Sequence, residues 1–360
     1  MKNNTRKQSP EPVHYVVWES MPGGMESYIS HYTNRFYGQR DVYIYSLRPV
    51  GNGLTDRLGD GHYDQGSHNN WACYSGYFRY CRAHPNHLFH LMNGGPVILL
   101  LTLLAGVRNP VYHIHGTKYW KKWLDRLYLK TAWQLIRLFR VRFIANSQFS
   151  AGVFRRDVLP IQPDVIYNGF QLARFLEKRW LRSKLNRIVY VGRLDHGKNV
   201  HLVIRLFEEI AREHPELELH FAGAGDLRAE LEQQARNSPF AGRMVFHGWV
   251  DDMAAFYQAA DLFLFLSAYE SFGNVVAEAL LTGLPVLTSD LPAFREIHGG
   301  EAAFCLGNPD NYPELKNSFL RAVADYPALA QKAYAAADRL KTLFDMETHL
   351  NAIEQTYENA

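Results

Sequence analysis

DLFLFLSAYESFGNVVAEALLTGLPVLTS, from Asp261 to Ser289, reads as strand, loop, helix and strand in succession. DLFLFL is a short apolar run, and its length suits a buried strand rather than a helix. SAYESFGN has the small and polar composition of a loop. VVAEALLT carries apolar residues at helical spacing and is stopped by Gly283. LPVLTS is a second buried run. A strand, a crossover helix and a second strand build a parallel sheet covered on both faces.

The same alternation extends outward over the chain. In the first half the strand-like runs are 13–18, 41–47, 87–92, 109–115, 141–146 and 164–169. In the second half they are 187–194, 217–223, 244–249, 261–266, 284–289 and a weaker AAFCL at 302–306. Helical spacing fills most of the intervals. Two such series predict an α/β protein with two Rossmann-like parallel-sheet domains. The predicted parts are a disordered lead-in over 1–12, a first domain over 13–170, a second over 171–345 and a final helix over 346–360. The charged stretch near 170–186 marks the boundary.

The chain has 360 residues, 47% of them hydrophobic, which is enough for two ordinary cores. Lys and Arg total 39 against 36 Asp and Glu, so charge alone does not make it a nucleic-acid binder. Cys73, Cys81 and Cys305 show no metal-ligand spacing and suit a reduced compartment. The longest apolar run, VILLLTLLA from Val97 to Ala105, falls short of the roughly 18 residues that span a bilayer. It reads as a buried helix. The expected location is cytoplasmic.

Ligands of open parallel sheets bind beyond the carboxyl ends of the strands, so the loops after the strands carry the candidates. In SAYESFGN the loop feeds a helix N-terminus, where the amides of Gly273, Asn274 and Val275 can hold a phosphate. Gly273 permits close backbone approach. Glu278 lies about 6–7 Å further along the axis, at 1.5 Å per residue. A carboxylate there can accept from both hydroxyls of a ribose. Glu270 would face a sugar on the other side of the phosphate. The plainer alternative is a first-turn acid and a solvated helix residue. In VGRLDHGKN (191–199), Arg193 and Lys198 flank a glycine turn and can offset the charge of a diphosphate. FAGAGDL (221–227) is a further glycine turn. In the first half, MPGGMES (21–27) offers Gly23 and Gly24 for backbone approach, and HIHG (113–116) places His115 at a strand end. A strand-end histidine alone is more often structural.

Together these features resemble the retaining glycosyltransferases of family 4, with the GT-B fold. The E-x7-E motif is matched by Glu270 through Glu278, with SFG after the first Glu. G-R-L-x-x-x-K-N is matched by GRLDHGKN. The GG loop, A-N-S at 145–147, I-Y-N-G at 166–169 and HG-x-V before an acidic helix start (247–252) are also similar. Where many members carry an Asp after I-Y-N-G, this chain has Phe170 and Gln171. The resemblance implies two domains facing a central cleft, with a last helix crossing back to the first. It implies that Arg193 and Lys198 bind the donor diphosphate, Glu278 the ribose, and Glu270 and His115 the donor sugar, with Gly24 beside the phosphates. No metal and no cofactor are expected, the nucleotide-sugar being substrate; UDP is the base expected from family frequency. Front-side attack, with the leaving phosphate taking the acceptor proton, needs no general base.

The segment TKYWKKWLDRLYLKTAWQLIRLFRVRF (117–143) carries eight Lys or Arg against one Asp, with three Trp. A basic amphipathic helix of this kind suits an anionic membrane surface. Its alternative is an ordinary helix packed on the sheet. WACYSGYFRY (71–80) fits an acceptor groove or core packing equally. The expected acceptor is a saccharide, lipid-linked, in polysaccharide or lipopolysaccharide synthesis. The rival functions are a phosphorylase of the same fold, an inactive nucleotide-sugar-binding protein and a dinucleotide oxidoreductase. The last lacks its G-x-G-x-x-G after the first strand.

Overall fold

The computed structural model describes residues 11–18, 24–36, 38–49, 62–119, 123–176 and 180–359. Gly23, residues 1–10 of the lead-in and residues 120–122 of the basic segment lie outside these. The chain divides into two units. Residues up to Tyr167 with those from His349 form the first, and Asn168–Thr348 form the second.

The first unit is built on seven parallel strands: β1 (Val13–Val17), β2 (Val42–Ser46), β3 (His62–Gln65), β4 (Leu88–Met92), β5 (Val111–Ile114), β6 (Arg142–Ala145) and β7 (Asp164–Val165). Their order is β3-β2-β1-β4-β5-β6-β7, so the winding reverses between β1 and β4. Val13 pairs with Val42 on one side and with Leu88 on the other. β1 and β4 are buried throughout, as strands covered on both faces must be. The run from Val97 lies in the helix Gly95–Leu104, with Ile98, Leu99 and Leu103 in the core. Residues 71–80 lie in the helix Asn70–Ala83, whose Cys73, Tyr77 and Cys81 enter the same core, while Trp71 stays exposed. Two expectations need correction. β3 was not foreseen, because HYDQ at a sheet edge is polar and mostly exposed, and little but its backbone pairing with β2 defines it. The strand expected over 164–169 ends after Val165, where its backbone pairing with β6 stops.

The second unit holds five parallel strands: β8 (Arg187–Val191), β9 (Glu218–Ala222), β10 (Met244–Gly248), β11 (Leu262–Phe265) and β12 (Val286–Thr288). The order is β10-β9-β8-β11-β12, reversing between β8 and β11. The helix Val200–Ala211 shows how a face is covered: Val203, Leu206, Phe207 and Ile210 recur at helical spacing and are buried. AAFCL is not a strand. Ala302–Phe304 form a 3-10 turn, closed by Cys305 N–H donating to Ala302 O at 3.0 Å, and Cys305 alone bridges to Thr288. The described parts of the charged stretch near 170–186 are structured too. The helix Leu172–Leu176 opens it, and the buried Arg182 guanidinium donates to the carbonyls of Ala260 (2.6 Å), Tyr257 (3.1 Å) and Thr282 (3.2 Å). Burial pushes its pKa down to about 10, and the three acceptors are what make it tolerable there. Phe170 takes a core position against Phe272 and Phe344, and its N–H donates to Phe344 O.

Candidate functional site

The loops after β8 and β11 leave adjacent strands at the point where the second sheet reverses. That is where open α/β sheets place ligands. The loop after β8 runs into a 3-10 turn, His196–Lys198, and then Asn199 with φ 50°. Asn199 holds this left-handed turn by donating from Nδ2 to Leu266 O at 2.9 Å, which ties it to the β11 loop. Ala268 N–H donates to Gly197 O at 2.8 Å. A Cβ at residue 197 would meet the Tyr269 ring at 2.7 Å, so only glycine lets the two loops approach this closely.

This docking brings Lys198 and Glu270 together. Lys198 Nζ lies 2.5 Å from Glu270 Oε1, with Ser267 Oγ at 3.4 Å. Lys198 is only 7% exposed, a depth at which an ammonium needs its counter-charge. Ser267 Oγ lies 3.0 Å from Tyr269 O, and Ser289 Oγ donates to Ser267 O at 2.6 Å. Arg193, on the same β8 loop, is 70% exposed at its side chain and pairs with Asp195 at 3.2 Å.

The β11 loop ends at Gly273, where the helix Asn274–Leu281 begins. Gly273 has φ 105°, and a Cβ there would strike Phe294 at 2.7 Å. The glycine is thus required by backbone conformation and packing. The first helical bonds run from Val276 N and Ala277 N to Gly273 O. The amides of Gly273, Asn274 and Val275 precede them and are left for another acceptor, as at any helix start. Asn274 Oδ1 accepts from Asn168 Nδ2 at 2.7 Å, which fixes the helix start to the I-Y-N-G stretch. One turn on, Glu278 is half-buried and accepts from the Tyr257 hydroxyl at 3.0 Å. Loss of solvent pushes its carboxyl up to about 6, partly offset by the Tyr257 bond and Arg174. Asp252 caps its helix by accepting from Ala255 N, as expected of an acid at that place.

In the first unit Gly24 opens the helix Gly24–Phe36. His115 lies one residue past β5, its ring centroid 3.9 Å from that of His113. The segment 117–143 is not one helix. Its helical part is Trp123–Ile136, and Arg142 begins β6. Trp133 and Ile136 are buried, with Trp133 against Tyr112 and Phe154. Leu135, Leu138, Phe139, Arg137 and Arg140 face solvent, Leu138 at 81% exposure. Behind them, at the amino ends of β5 to β7, is a cleft of about 650 Å3 lined in part by Arg137, Arg140 and Arg142. Among the described residues no helix is long and apolar enough to cross a membrane, and no group of three His, Cys, Asp or Glu is placed to hold a metal.

Sequence reasoning missed four contributors. Tyr257 carries no local signal, because only the fold brings it to Glu278, and Asp195, two residues from Arg193, has no marked place in the GRLDHGKN loop. Ser267 was passed over as ordinary loop composition. FAGAGDL read as a simple turn, yet a Cβ at Gly223 would lie 2.0 Å from Gly192 O, and one at Gly225 would lie 2.4 Å from Leu194 O. Those two glycines let the β9 loop pack directly on the β8 loop that carries Arg193. The G-x-G spacing was the available signal.

Comparison with known proteins bears on this arrangement. The family described as glycosyl transferases group 1 matches residues 174–339. Glycogen synthase of Mycobacterium tuberculosis is 35% identical over 199 residues, covering 54% of this chain and 47% of that protein. Alpha-monoglucosyldiacylglycerol synthase of Streptococcus pneumoniae is 26% identical over 227 residues, covering 56% and 51%. The chain thus spans about half the length of these curated relatives. The crystal structure of Anabaena HepE in complex with UDP-glucose aligns over 97% of this chain and 100% of that one, with a TM-score of 0.79 at 20% identity. That likeness gives the fold as GT-B, with two Rossmann-like parallel-sheet domains. Residues 174–339, which contain the paired Lys198 and Glu270 and the helix of Glu278, are the part of this chain that matches the glycosyl transferases of group 1.

Proposed function

We propose that the protein is a retaining glycosyltransferase that moves a sugar from a nucleotide-diphosphate-sugar to a hydroxyl of a saccharide acceptor. The observation that carries this reading is the ion pair of Lys198 with Glu270 in the loop that feeds the Asn274–Leu281 helix. It sets a cation and free helix amides at one loop, the combination a diphosphate needs. Arg193, exposed and paired with Asp195, adds a second cation. In this reading the diphosphate draws Lys198 partly away from Glu270. The carboxylate is then released to accept from a sugar hydroxyl. Glu278, already short of solvent, accepts from the ribose. Lys198, Arg193 and the helix start offset the charge that grows on the leaving diphosphate, and need no metal to do so. The acceptor proton goes to the leaving phosphate, so no side chain is assigned as base. His115 and Gly24 are assigned to the donor on the resemblance.

UDP is the proposed base, and the HepE complex with UDP-glucose supports it. The proposed acceptor is lipid-linked, in surface polysaccharide or lipopolysaccharide synthesis. A relative named for a glucosylated diacylglycerol supports a lipid acceptor. So do the exposed Leu135, Leu138 and Phe139 beside Arg137 and Arg140, which suit peripheral contact with an anionic cytoplasmic leaflet.

The test is release of nucleoside diphosphate from UDP-, GDP- and ADP-sugars in the presence of lipid and oligosaccharide extracts. Release from one donor, dependent on an extract and lost in Lys198→Ala, is expected. Turnover that instead requires inorganic phosphate and a disaccharide would move the reading to a phosphorylase. Tight binding without turnover in any extract would move it to a nucleotide-sugar-binding protein.

A further inference from the structure

The cleft behind Arg137 and Arg140 carries cations that its own walls do not offset. Its volume of about 650 Å3 falls in the range of small-molecule sites, roughly 300–1,000 Å3. All the residues that line it belong to the first unit. It opens at the amino ends of β5 to β7, whereas His115 follows the carboxyl end of β5. At about 3.3 Å per residue, the four residues of β5 put about 13 Å between the two. The cleft is therefore not part of the strand-end loops that carry the transfer chemistry.

The backbone fixes where its arginines stand. Past Ile136 the N–H groups of Arg137, Leu138 and Phe139 donate three residues back, to the carbonyls of Gln134 (3.3 Å), Leu135 (3.0 Å) and Ile136 (3.0 Å). The helix end is thus wound tightly. At the other side of the connection Arg142 N–H donates to Pro110 O at 3.0 Å as β6 begins. Arg137, Arg140 and Arg142 all line the cleft, and Asp164 is the one carboxylate among the described residues that do. Arg142 Nη1 lies 3.6 Å from Asp164 Oδ2, and its Nη2 donates to Asn359 O at 2.6 Å. Arg137 Nη1 donates to the uncharged amide oxygen of Gln134 at 3.1 Å. Among the described residues no hydrogen bond or ion pair engages the Arg140 side chain.

Three guanidinium groups against one carboxylate leave two positive charges in a concave site, where the field of like charges is focused. Each guanidinium presents five N–H donors in a planar fork, and most of them are unused here. A phosphate monoester brings roughly two negative charges near pH 7 and three acceptor oxygens that such forks fit. We propose that this cleft binds a phosphate monoester group, held by Arg137, Arg140 and Arg142, with Asp164 yielding Arg142 to it. The phosphate is either the headgroup of a lipid, whose chains would lie along the exposed Leu138 and Phe139, or that of a soluble molecule. A membrane contact through surface charge alone would need no such cleft. The site is independent of the transferase reading, since no residue assigned to the donor belongs to it.

The experiment is modification of arginines by phenylglyoxal in the full-length protein, followed residue by residue by mass spectrometry. Arg212, exposed on the second unit, is the reference. The probes are glycerol 3-phosphate, and vesicles of phosphatidylcholine alone or mixed with phosphatidic acid or phosphatidylglycerol to one matched surface potential. With a probe at about four times its Kd, four-fifths of the clefts are filled, and modification of Arg137 and Arg140 should slow about fivefold while Arg212 is unchanged. Protection by glycerol 3-phosphate assigns the site to a soluble phosphate. Protection by phosphatidic acid vesicles, and not by phosphatidylglycerol vesicles or glycerol 3-phosphate, assigns it to a lipid. Arg137→Gln should weaken binding of the protecting probe about tenfold, the loss of one charge-assisted bond. Asp164→Asn should tighten it about two- to fivefold by freeing Arg142, a gain that a merely structural role would not produce. Equal protection by the two anionic vesicles would mean that surface charge alone is sensed and would overturn the site. Absence of protection by every probe would overturn it as well, and the wild-type protein decides both outcomes without either variant.

Discussion

The two units differ in the kind of polar group they bury. In the second, Lys198 closes on Glu270, Glu278 on Tyr257 and Arg193 on Asp195. In the first, His113, His115 and His349 each keep a nitrogen with no hydrogen-bond partner among the described residues, as the neutral ring of His298 does in the second. A charge cannot wait buried and alone, because desolvation of an ion is too costly, whereas a neutral imidazole can.

The sharpest way to break this contrast is Lys198→Ala. If Lys198 stabilises the departing diphosphate, kcat should fall about 10²- to 10³-fold in a diphosphate-release assay. A drop below about threefold would leave the pair a structural tie.

Next in size is the effect of Glu278 on stability. Its carboxyl is raised from the usual 4.5 to about 6, so the fold favours the protonated form. The associated stability is fully present below pH 4.5 and is lost as pH rises through 6, amounting to about 2 kcal/mol above that. Glu278→Gln should therefore unfold at higher urea than the parent at pH 8, and the two should converge near pH 4.5. Equal stability at both pH values would mean that Glu278 is freely solvated.

The roles of the two glutamates are separable. Glu278→Ala should weaken binding of the bare diphosphate about tenfold, or about 1.4 kcal/mol. Glu270→Ala should instead reduce turnover more than diphosphate affinity. Equal losses of diphosphate affinity in both variants would contradict the division.

The smallest expected effect tests the first unit's outer surface. Arg140→Gln should lower partitioning onto vesicles containing anionic lipid by about fivefold, near 1 kcal/mol for one cation. Unchanged co-sedimentation would return Leu138 and Phe139 to the status of ordinary exposed side chains.

What could be read beforehand follows the same division. β11, its loop and the helix after it were legible because burial on both faces demands unbroken apolar runs, and a loop feeding a helix demands glycine. Glu270, Glu278, Arg193 and Lys198 stood out because the chemistry expected of a nucleotide-sugar favours those residue types at that spacing. Tyr257 and His349 were not, since each reaches its partner only through folding across tens or hundreds of residues. β3 was missed because an edge strand needs backbone pairing more than apolar side chains. AAFCL misled because apolar composition alone does not distinguish a strand from a 3-10 turn.

The central claim is that the second unit binds a nucleoside diphosphate through Lys198. Calorimetric titration with UDP, GDP and ADP, without added metal, on the parent and on Lys198→Ala tests it most directly. The account predicts binding of one diphosphate, UDP, that is lost in the variant. Binding of none of the three, or binding that Lys198→Ala leaves intact, would contradict it.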